Sequence, residues 1–421
     1  MDDTIFALSS GLPPAGIAVL RISGPRAGDA LVALAGRLPA ARHATLARLK
    51  DMTTGDVLDH GLIIWFPGPA SVTGEDLAEL HLHGSRAVVA RALSLLGEID
   101  GCRAALAGEF TRRAYENGRI DLSEAEGLAD LLAAETEGQR QAALLLAEGA
   151  LGRAVACWQS SLLGISARIE ADLDFSDEAD VGATAVIGGL LERLIDSLQS
   201  LCVSAPAERL KDGIRIVLAG PPNSGKSSLF NMLIGRDAAI VSDIAGTTRD
   251  RIEAPIILEG IPLVLIDTAG LREDSSDAIE EIGIARTCEA IAAADVVLWL
   301  GAVEDAPGGA IILAAKADLR DSRTGLRVSA LTGQGIDALR RAIVSNASAL
   351  LPRPGALALN ARHRAILGDV LAELLLAHAS EDPLIAAEHL RLARLALDMI
   401  TGQSGVEDML DALFGTFCIG K

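Results

Sequence analysis

The stretch IRIVLAGPPNSGKSSLFNML (214–233) constrains this chain more than any other part of it. A branched apolar run, which reads as a strand, leads into Gly220-Pro221-Pro222-Asn223-Ser224-Gly225-Lys226-Ser227, and a helical pattern follows. Strand, glycine-rich loop and helix in that order are what G-x-x-x-x-G-K-[ST] needs if it is to cradle phosphate. The glycines let backbone N–H groups curl around an anion, and the start of the next helix adds partial positive charge. Lys226 is placed to reach the β- and γ-phosphates of a nucleotide, and Ser227 to ligand Mg²⁺. Short branched strands alternate with helices from about Pro206 to about residue 350, which predicts βαβ units and a parallel sheet around this loop.

Three further pieces fall in the right order for a guanine nucleotide. DIAGTTRD (243–250) supplies Thr247 and Thr248 in a polar loop, where a switch-type threonine would complete the Mg²⁺ shell. IPLVLIDTAG (261–270) ends a strand on Asp267, a carboxylate suited to the outer Mg²⁺ shell, with the Gly270 N–H poised toward the γ-phosphate. IILAAKADL (311–319) ends another strand with Lys316 and Asp318, and VSAL (328–331) follows. A carboxylate at 318 can accept two hydrogen bonds from the guanine edge, which selects G over A.

Two departures from the usual pattern carry predictions. Position 315, where Asn-Lys-x-Asp would have its amide, is alanine. Loss of that amide predicts weaker GTP affinity, by on the order of 1–3 kcal/mol, with guanine selectivity kept through Asp318. Only residues 301–310 separate VVLWL from IILAAKAD, too few for the usual crossover helix, which is predicted to be truncated. Leu271 directly after DTAG cannot orient a water, so another group must. Glu273, Asp274, Asp277, Glu280 and Glu281 follow as candidates.

Around this module the texture differs. Residues 1–117 read as α/β: GIAVLRISG (16–24) and HGLIIWFPGP (60–69) are strand-like, RAVVARALSLLGEI (86–99) is helical, and LAELHLHG (77–84) alternates, with Glu79, His81 and His83 on one face. That face reads either as a metal trio or as a ligand-facing or solvated surface. Ser123 and Glu126 form a Ser-x-x-Glu capping box at a predicted helix start. Alanine- and leucine-rich helices continue to about 205, broken by the acidic DFSDEADVGA (174–183), and resume from about Asn360 after the linker LLPRPG. Ser404 and Glu407 open a last short helix bearing Leu410, Leu413 and Phe414. The expected architecture is multidomain α/β plus all-α. An α/β domain (1–117) is followed by a helical bundle in two parts (118–207 and 352–421), with a Ras-like P-loop GTPase domain (208–351) inserted between them.

Composition narrows the partners. With 37 basic against 57 acidic residues the formal charge is −20, so bare nucleic acid should bind poorly without help. Arg112, Arg113 and Arg119 read either as a phosphate-binding cluster or as salt bridges. No apolar run approaches a membrane span, and the acidic start MDDTIFALSS lacks a signal-peptide pattern, so a cytoplasmic, non-membrane protein is expected. Cys102, Cys157, Cys202, Cys288 and Cys418 are dispersed, which argues against zinc or disulfides and predicts small core residues. CIGK at the terminus is a poor prenylation box, because Gly420 and Lys421 occupy its last two positions.

The chain resembles the family of tRNA uridine-34 modification GTPases called MnmE or TrmE over nearly its whole length. VLRISG, WFPGPxSxTGED (65–76), GEFTRRAYENGRIDLSEAE (108–126), the GTPase pieces and the terminal FCIGK carry the resemblance. It implies a GTP hydrolase that works with the flavoprotein MnmG, as a heterotetramer, to install a carboxymethylaminomethyl group on the wobble uridine of tRNA. It implies a homodimer whose amino-terminal domain binds 5-formyl- or 5,10-methylene-tetrahydrofolate, with Arg21, Glu79, Arg119 and Lys421 matching the folate positions. Asn223, Ser242, Ile244 and Thr247 match a K⁺ site, Ser227 and Thr248 the Mg²⁺ ligands, and Glu280 the water-positioning glutamate, with Glu281 its rival. In this family K⁺ supplies charge where others use an arginine finger. The full nucleotide set so implied is Asn223, Ser224, Gly225, Lys226, Ser227 and Ser228; Ser242, Asp243, Ile244, Ala245, Gly246, Thr247 and Thr248; Asp267, Thr268, Ala269 and Gly270; and Lys316, Asp318, Ser329 and Ala330. Cys418 matches a tail cysteine. Two other readings compete: a GTP-dependent assembly switch of the ribosome-maturation type without modification activity, and a degenerate scaffold, suggested by Ala315 and the short crossover.

Overall fold

The computed structural model describes residues 3–174, 182–237, 253–268, 286–319, 324–402 and 407–421. The chain divides into two compact units, Met1–Ala129 with Ala147–Leu162 and Arg394–Lys421, and Asp130–Leu146 with Leu163–Ala393.

The first unit is built on strands β1 (Thr4–Leu8), β2 (Ala15–Ser23), β3 (Thr45–Lys50), β4 (Val57–Phe66), β5 (Leu77–Gly84) and β6 (Cys102–Ala104), in the order β3-β4-β5-β2-β1-β6. All pairs are antiparallel except β1 with β6. Period-two alternation sends Leu20, Ile22, Ile63, Trp65, Leu80 and Leu82 to one face, where α1 (Ala27–Ala35) and α2 (Arg86–Gly97) cover them with Leu31, Leu34, Leu95 and Leu96. Burying each such side chain stabilises the unit by about 1.5–3 kcal/mol. The other face carries Arg21 opposite Glu79 in register.

Helix α3 (Glu109–Glu116) contributes Arg113, which is fully buried. Its guanidinium donates to the Asp3 carbonyl at 2.9 Å and ion-pairs with Asp3 at 2.8 Å, Glu75 at 3.2 Å and Glu109 at 3.2 Å. Glu109 is also held by Arg103. A buried cation with three carboxylate partners ties the start of β1, the 67–76 loop and α3 together. Arg112 pairs with Glu116 and Asp411. Arg112 and Arg113 are therefore both salt-bridge residues, and the phosphate-cluster reading fails for the fully buried Arg113.

Helix α4 spans Leu122–Ala133. Its cap is not Ser123 but Asp121: the Glu124 N–H donates to Asp121 Oδ1 and the Asp121 N–H to Glu124 Oε2, both at 2.8 Å. Two capping boxes overlap in the sequence. The earlier one prevails, and the Ser123 hydroxyl donates to the Asp121 carboxylate. The C-terminal helix Glu407–Gly415 packs Leu410 and Phe414 on Leu122 and Ala125; Ser404 lies outside the described residues. Beyond it the tail passes the end of β1. Ala107 and Ile419 form an antiparallel bridge, and Ser9 Oγ donates to the Gly420 carbonyl at 2.8 Å. Gly420 has φ +97, and a Cβ there would sit 2.1 Å from the Leu8 carbonyl oxygen, so only glycine fits.

Helices α5 (Glu137–Ala147), α6 (Ala150–Asp174) and α7 (Gly182–Cys202) follow; most of the acidic 174–183 stretch lies outside the described residues. Helix α6 buries Leu151, Val155, Trp158, Leu162, Ile165 and Ile169 along one stripe, and Cys157 falls off it. None of the five cysteines is buried: Cys157, Cys288 and Cys418 are exposed, and Cys102 and Cys202 half-buried. The expectation of core cysteines is corrected.

In the second unit, α8 (Ala207–Lys211) leads into β7 (Ile214–Ala219) and α9 (Lys226–Asp237), then β8 (Glu253–Leu258), β9 (Ile261–Asp267), β10 (Val296–Trp299), β11 (Ile311–Ala314), β12 (Leu326–Arg327) and α10 (Ile336–Leu350). The sheet order is β12-β11-β10-β7-β9-β8, parallel except for β8. One face buries Ile216, Leu218, Leu298 and Leu313 against Leu229, Phe230 and Leu233 of α9 and Leu339 and Ile343 of α10. The other packs Val217, Ala219 and Ile266 against Ala290 and Ile291 of a helical stretch through 286–292. The truncated crossover is a single 3₁₀ turn, Val303–Asp305, between parallel strands β10 and β11. Trp299 Nε1 donates to the Ala302 carbonyl at 2.8 Å, which turns the chain back at once.

The two points where the chain crosses between this α/β module and its flanking helices are bonded together. The Ala207 N–H donates to the Leu359 carbonyl at 3.0 Å, and Glu208 binds both Arg364 and the Ala361 N–H at the start of helix α11 (Ala361–Ala379). Arg209 pairs with Asp295 at the start of β10, and Lys211 with Asp130.

Candidate functional site

Strand β7 is central in its sheet, and the loop after it lies at the carboxyl edge, where α/β sheets bind ligands. Gly220 has φ +144, and a Cβ there would stand 2.8 Å from the Leu300 carbonyl oxygen. The loop passes so close to β10 that no side chain fits. Asn223 takes the left-handed conformation, φ +58. Lys226, 6% exposed, donates from Nζ to the carbonyls of Gly220 at 3.0 Å and Pro221 at 2.9 Å, so it lies across the mouth of the loop. Ser227 and Ser228 are exposed in the first turn of α9. The Ser224 hydroxyl is buried and has no hydrogen-bond partner among the described residues, a polar group that a ligand oxygen would satisfy.

Asp267 ends β9 next to the loop and is 5% exposed. Thr268 donates from Oγ1 to the Leu218 carbonyl at 2.8 Å and so pins the end of β9 to β7. Hard oxygen groups at Ser227 and Asp267 suit a small divalent cation. Ser242, Asp243, Ile244, Ala245, Gly246, Thr247 and Thr248 lie outside the described residues, as do Ala269, Gly270, Leu271, Glu273, Asp274, Asp277, Glu280 and Glu281.

At the other end a cavity of ≈ 220 Å³ is lined by Gly225, Ser228, Ala315, Lys316, Asp318, Ser329 and Ala330 together with four apolar residues. The Ser329 hydroxyl donates to Asp318 Oδ1 at 2.5 Å, which fixes the carboxylate. Lys316, at φ +59, sends Nζ to the Asn223 carbonyl at 2.9 Å and joins this loop to the phosphate-type loop. Thus Gly225, Ser228, Lys316, Asp318, Ser329 and Ala330 share one cavity. Its apolar walls include Leu319 and Leu331, 75% and 84% exposed, which no motif marks. The signal that could have found them is position: each closes a stretch, 311–319 or 328–331, that the sequence already singles out. A smaller cavity of ≈ 70 Å³ among Ala133, Ala142, Ala143 and Leu210 offers no comparable chemistry, since Asp130 and Gln139 on its wall already bond Lys211 and the Leu210 carbonyl.

In the first unit Arg21 and Glu79 meet at 3.0 Å, and Arg21 lies 5.9 Å over the Phe110 ring. His81 Nε2 is 3.1 Å from the other Glu79 oxygen. His83, in contrast, turns to Asp59 at 2.7 Å and is 72% exposed. The trio is thereby split, and no group of three His, Cys, Asp or Glu among the described residues could hold a metal. Lys421 is half-buried at the end of the tail that lies on Leu8 and Ser9, and β1 pairs with the strand carrying Arg21. Arg119 is exposed beside Gly74, whose added Cβ would lie 3.3 Å from Arg119 Cγ. Among the described residues no helix is long and apolar enough to cross a membrane.

A family model described as the GTP-binding protein TrmE N-terminus matches residues 4–119, and one described as the MnmE helical domain matches residues 122–418. Among curated proteins the chain is similar to the tRNA modification GTPase MnmE of Rhizorhabdus wittichii, 56% identical over 100% of this chain and 97% of the relative. It is 53% identical to the protein of that name from Novosphingobium aromaticivorans and 54% identical to that from Erythrobacter litoralis, each over 100% of both chains.

Proposed function

This chain belongs to the MnmE family of tRNA modification GTPases, and from that premise we propose that its GTP hydrolysis is K⁺-activated and drives modification of the wobble uridine of tRNA. It is a GTP-hydrolysing enzyme. The observation that carries the proposal is the continuity between the Lys226 loop and the Asp318 cavity, joined by the Lys316–Asn223 bond. In this reading Lys226 neutralises the β- and γ-phosphates while the Ser224 hydroxyl and the loop N–H groups hold their oxygens. Asp318, oriented by Ser329, accepts the guanine N1–H and N2–H. Ser227 and Thr248 would hold Mg²⁺; Asn223, Ser242, Ile244 and Thr247 would hold K⁺, which supplies positive charge beside the phosphates. Glu280 positions the attacking water.

The same proposal extends to the first unit. Arg21, Glu79, Arg119 and Lys421 would bind 5-formyl- or 5,10-methylene-tetrahydrofolate as one-carbon source. The Arg21–Glu79 pair offers both a cation for carboxylate or carbonyl oxygens and acceptors for pterin N–H groups. A second copy of the chain would pack against the uncovered sheet face. Leu46 and Leu62, paired across β3 and β4, are 68% and 40% exposed there. The flavoprotein MnmG would complete a heterotetramer and contribute most of the tRNA affinity, because a chain of charge −20 repels phosphate. The site of action is the cytoplasm.

Two measurements test this. GTP turnover in K⁺ is expected to exceed that in Na⁺ by about tenfold or more, given the size of the charge effect an arginine finger has elsewhere. Equal rates in the two salts would remove the monovalent cation from the mechanism. Mass spectrometry of tRNA from cells lacking the protein should show unmodified wobble uridine; unchanged modification rejects the tRNA reading and leaves the assembly-switch alternative.

A further inference from the structure

We propose that the base pocket does not read the N7 edge of guanine, so that this enzyme accepts guanosine triphosphates altered at position 7 as readily as GTP itself; this rests on the Asp318 cavity being the guanine site. Ala315 directly follows β11 and packs half-buried against the module core. Its Cβ stands 3.9 Å from where a Cβ on Gly225 would be, so residue 315 occupies the space between the phosphate-type loop and the base cavity.

The orientation of a bound guanine follows from two fixed points. Its N1–H and exocyclic N2–H must meet the Asp318 carboxylate, the acceptor in the cavity held in place by Ser329. Its ribose and phosphates must run toward Gly225 and Lys226. The five-membered ring then lies on the Ala315 side, with N7, an acceptor, along that edge. A carboxamide at 315 could donate to it, whereas a methyl cannot.

Two of the lining's other side-chain donors are already engaged and do not replace the missing one. Three of the lining residues carry side-chain donors: Ser228, Lys316 and Ser329. The Ser329 hydroxyl is spent on Asp318, and the Lys316 ammonium reaches away to the Asn223 carbonyl. Ser228 is exposed in the first turn of α9, which follows the phosphate-type loop rather than the strand that leads to residue 315. On the residue-315 side the N7 edge therefore meets the Ala315 methyl in place of an amide donor, with room beside it in the ≈ 220 Å³ cavity.

A site that donates to an acceptor rejects analogues lacking it, because its own donor is left unpaired, whereas a site without that donor has nothing to lose. The test is displacement of a fluorescent GTP analogue from the full-length protein with Mg²⁺ present, using GTP, 7-deaza-GTP, 7-methyl-7-deaza-GTP and ATP. Expected are affinities for GTP and both 7-deaza nucleotides within about threefold of each other, with ATP weaker by about tenfold or more. In Ala315→Asn, GTP is expected to tighten by about tenfold while 7-deaza-GTP stays unchanged and the 7-methyl analogue weakens. If the unaltered protein prefers GTP over 7-deaza-GTP by tenfold, a donor reads N7 and the proposal falls while the GTP site stands. If GTP itself fails to displace the probe, the proposal and the assignment of the pocket fall together. The wild-type comparison decides the matter even should the asparagine variant fold poorly.

Discussion

Replacing Lys226 by methionine is expected to lower GTP turnover by a factor on the order of 10²–10³ or more while leaving the melting temperature nearly unchanged. The ammonium lies across the loop mouth, bonded to the carbonyls of Gly220 and Pro221, at 6% exposure. A buried cation at that place acts on whatever phosphate the loop encloses, in surroundings of low dielectric where its charge counts for most. Its structural contribution is small by comparison. Gly220 and Pro221 are half-buried and exposed, so water can take over their carbonyls when the lysine is gone. Methionine keeps the unbranched stem, so packing is preserved. Single-turnover hydrolysis measured beside thermal melting separates the two effects. Turnover within tenfold of the unaltered protein would mean that the loop does not enclose the reacting phosphates.

The second large effect is on stability. Arg113→Met should destabilise the first unit by about 3–5 kcal/mol, because it removes the buried cation that three carboxylates share and leaves Glu109 and Asp3 with Arg103 alone. Glu109 and Glu75 side chains are 8% and 15% exposed and carry most of this; Asp3, at 39%, is screened by water and carries least. Lysine should rescue poorly. The contacts come from two guanidinium nitrogens reaching Asp3, Glu75 and Glu109 at once, a fork that a point charge cannot reproduce. Acid should expose the same network. Burial pushes the Glu109 carboxyl up, but hydrogen bonds from Arg103, the Leu106 N–H and Arg113 more than offset this, and the net pKa lies below the ordinary 4.5. Asp3 is likewise held below 3.8, its burial outweighed by Arg103 and Arg113. Carboxyls with depressed folded pKa values stabilise the fold above their unfolded values and lose that contribution as pH falls below them. Unfolding in urea should therefore become easier from about pH 4.5 downward, and Arg113→Met should flatten that acid limb. A variant with unchanged stability at neutral pH would contradict the network's role.

What the sequence made legible is what geometry dictates locally. Glycine and lysine spacing in 220–227 is fixed by how a backbone wraps an anion, so the loop, its strand and its helix could all be read from it. Alternation in Leu77–Gly84 likewise exposed the two faces of β5. Long-range partners were not legible. Arg113 looks like any surface arginine until Asp3 and Glu75, far off in sequence, close around it. In alanine-rich helices an apolar residue off the buried stripe is cheap, so Cys157 gave no sign of its exposure. Of the ≈ 220 Å³ cavity, Lys316, Asp318, Ser329 and Ala330 came from motif order, whereas Leu319 and Leu331 carry no side-chain chemistry that marks them before the fold brings them to its wall.

The hydrogen bond from Ala207 to the Leu359 carbonyl means that the nucleotide module leaves the chain one residue-pair away from where it began. To the surrounding helices, the whole module is topologically no more than a hairpin turn. Such an arrangement is portable: the module can be gained, lost or exchanged for a short turn without rethreading its host, because the cost of bringing two chain ends together has already been met at the Glu208 clamp.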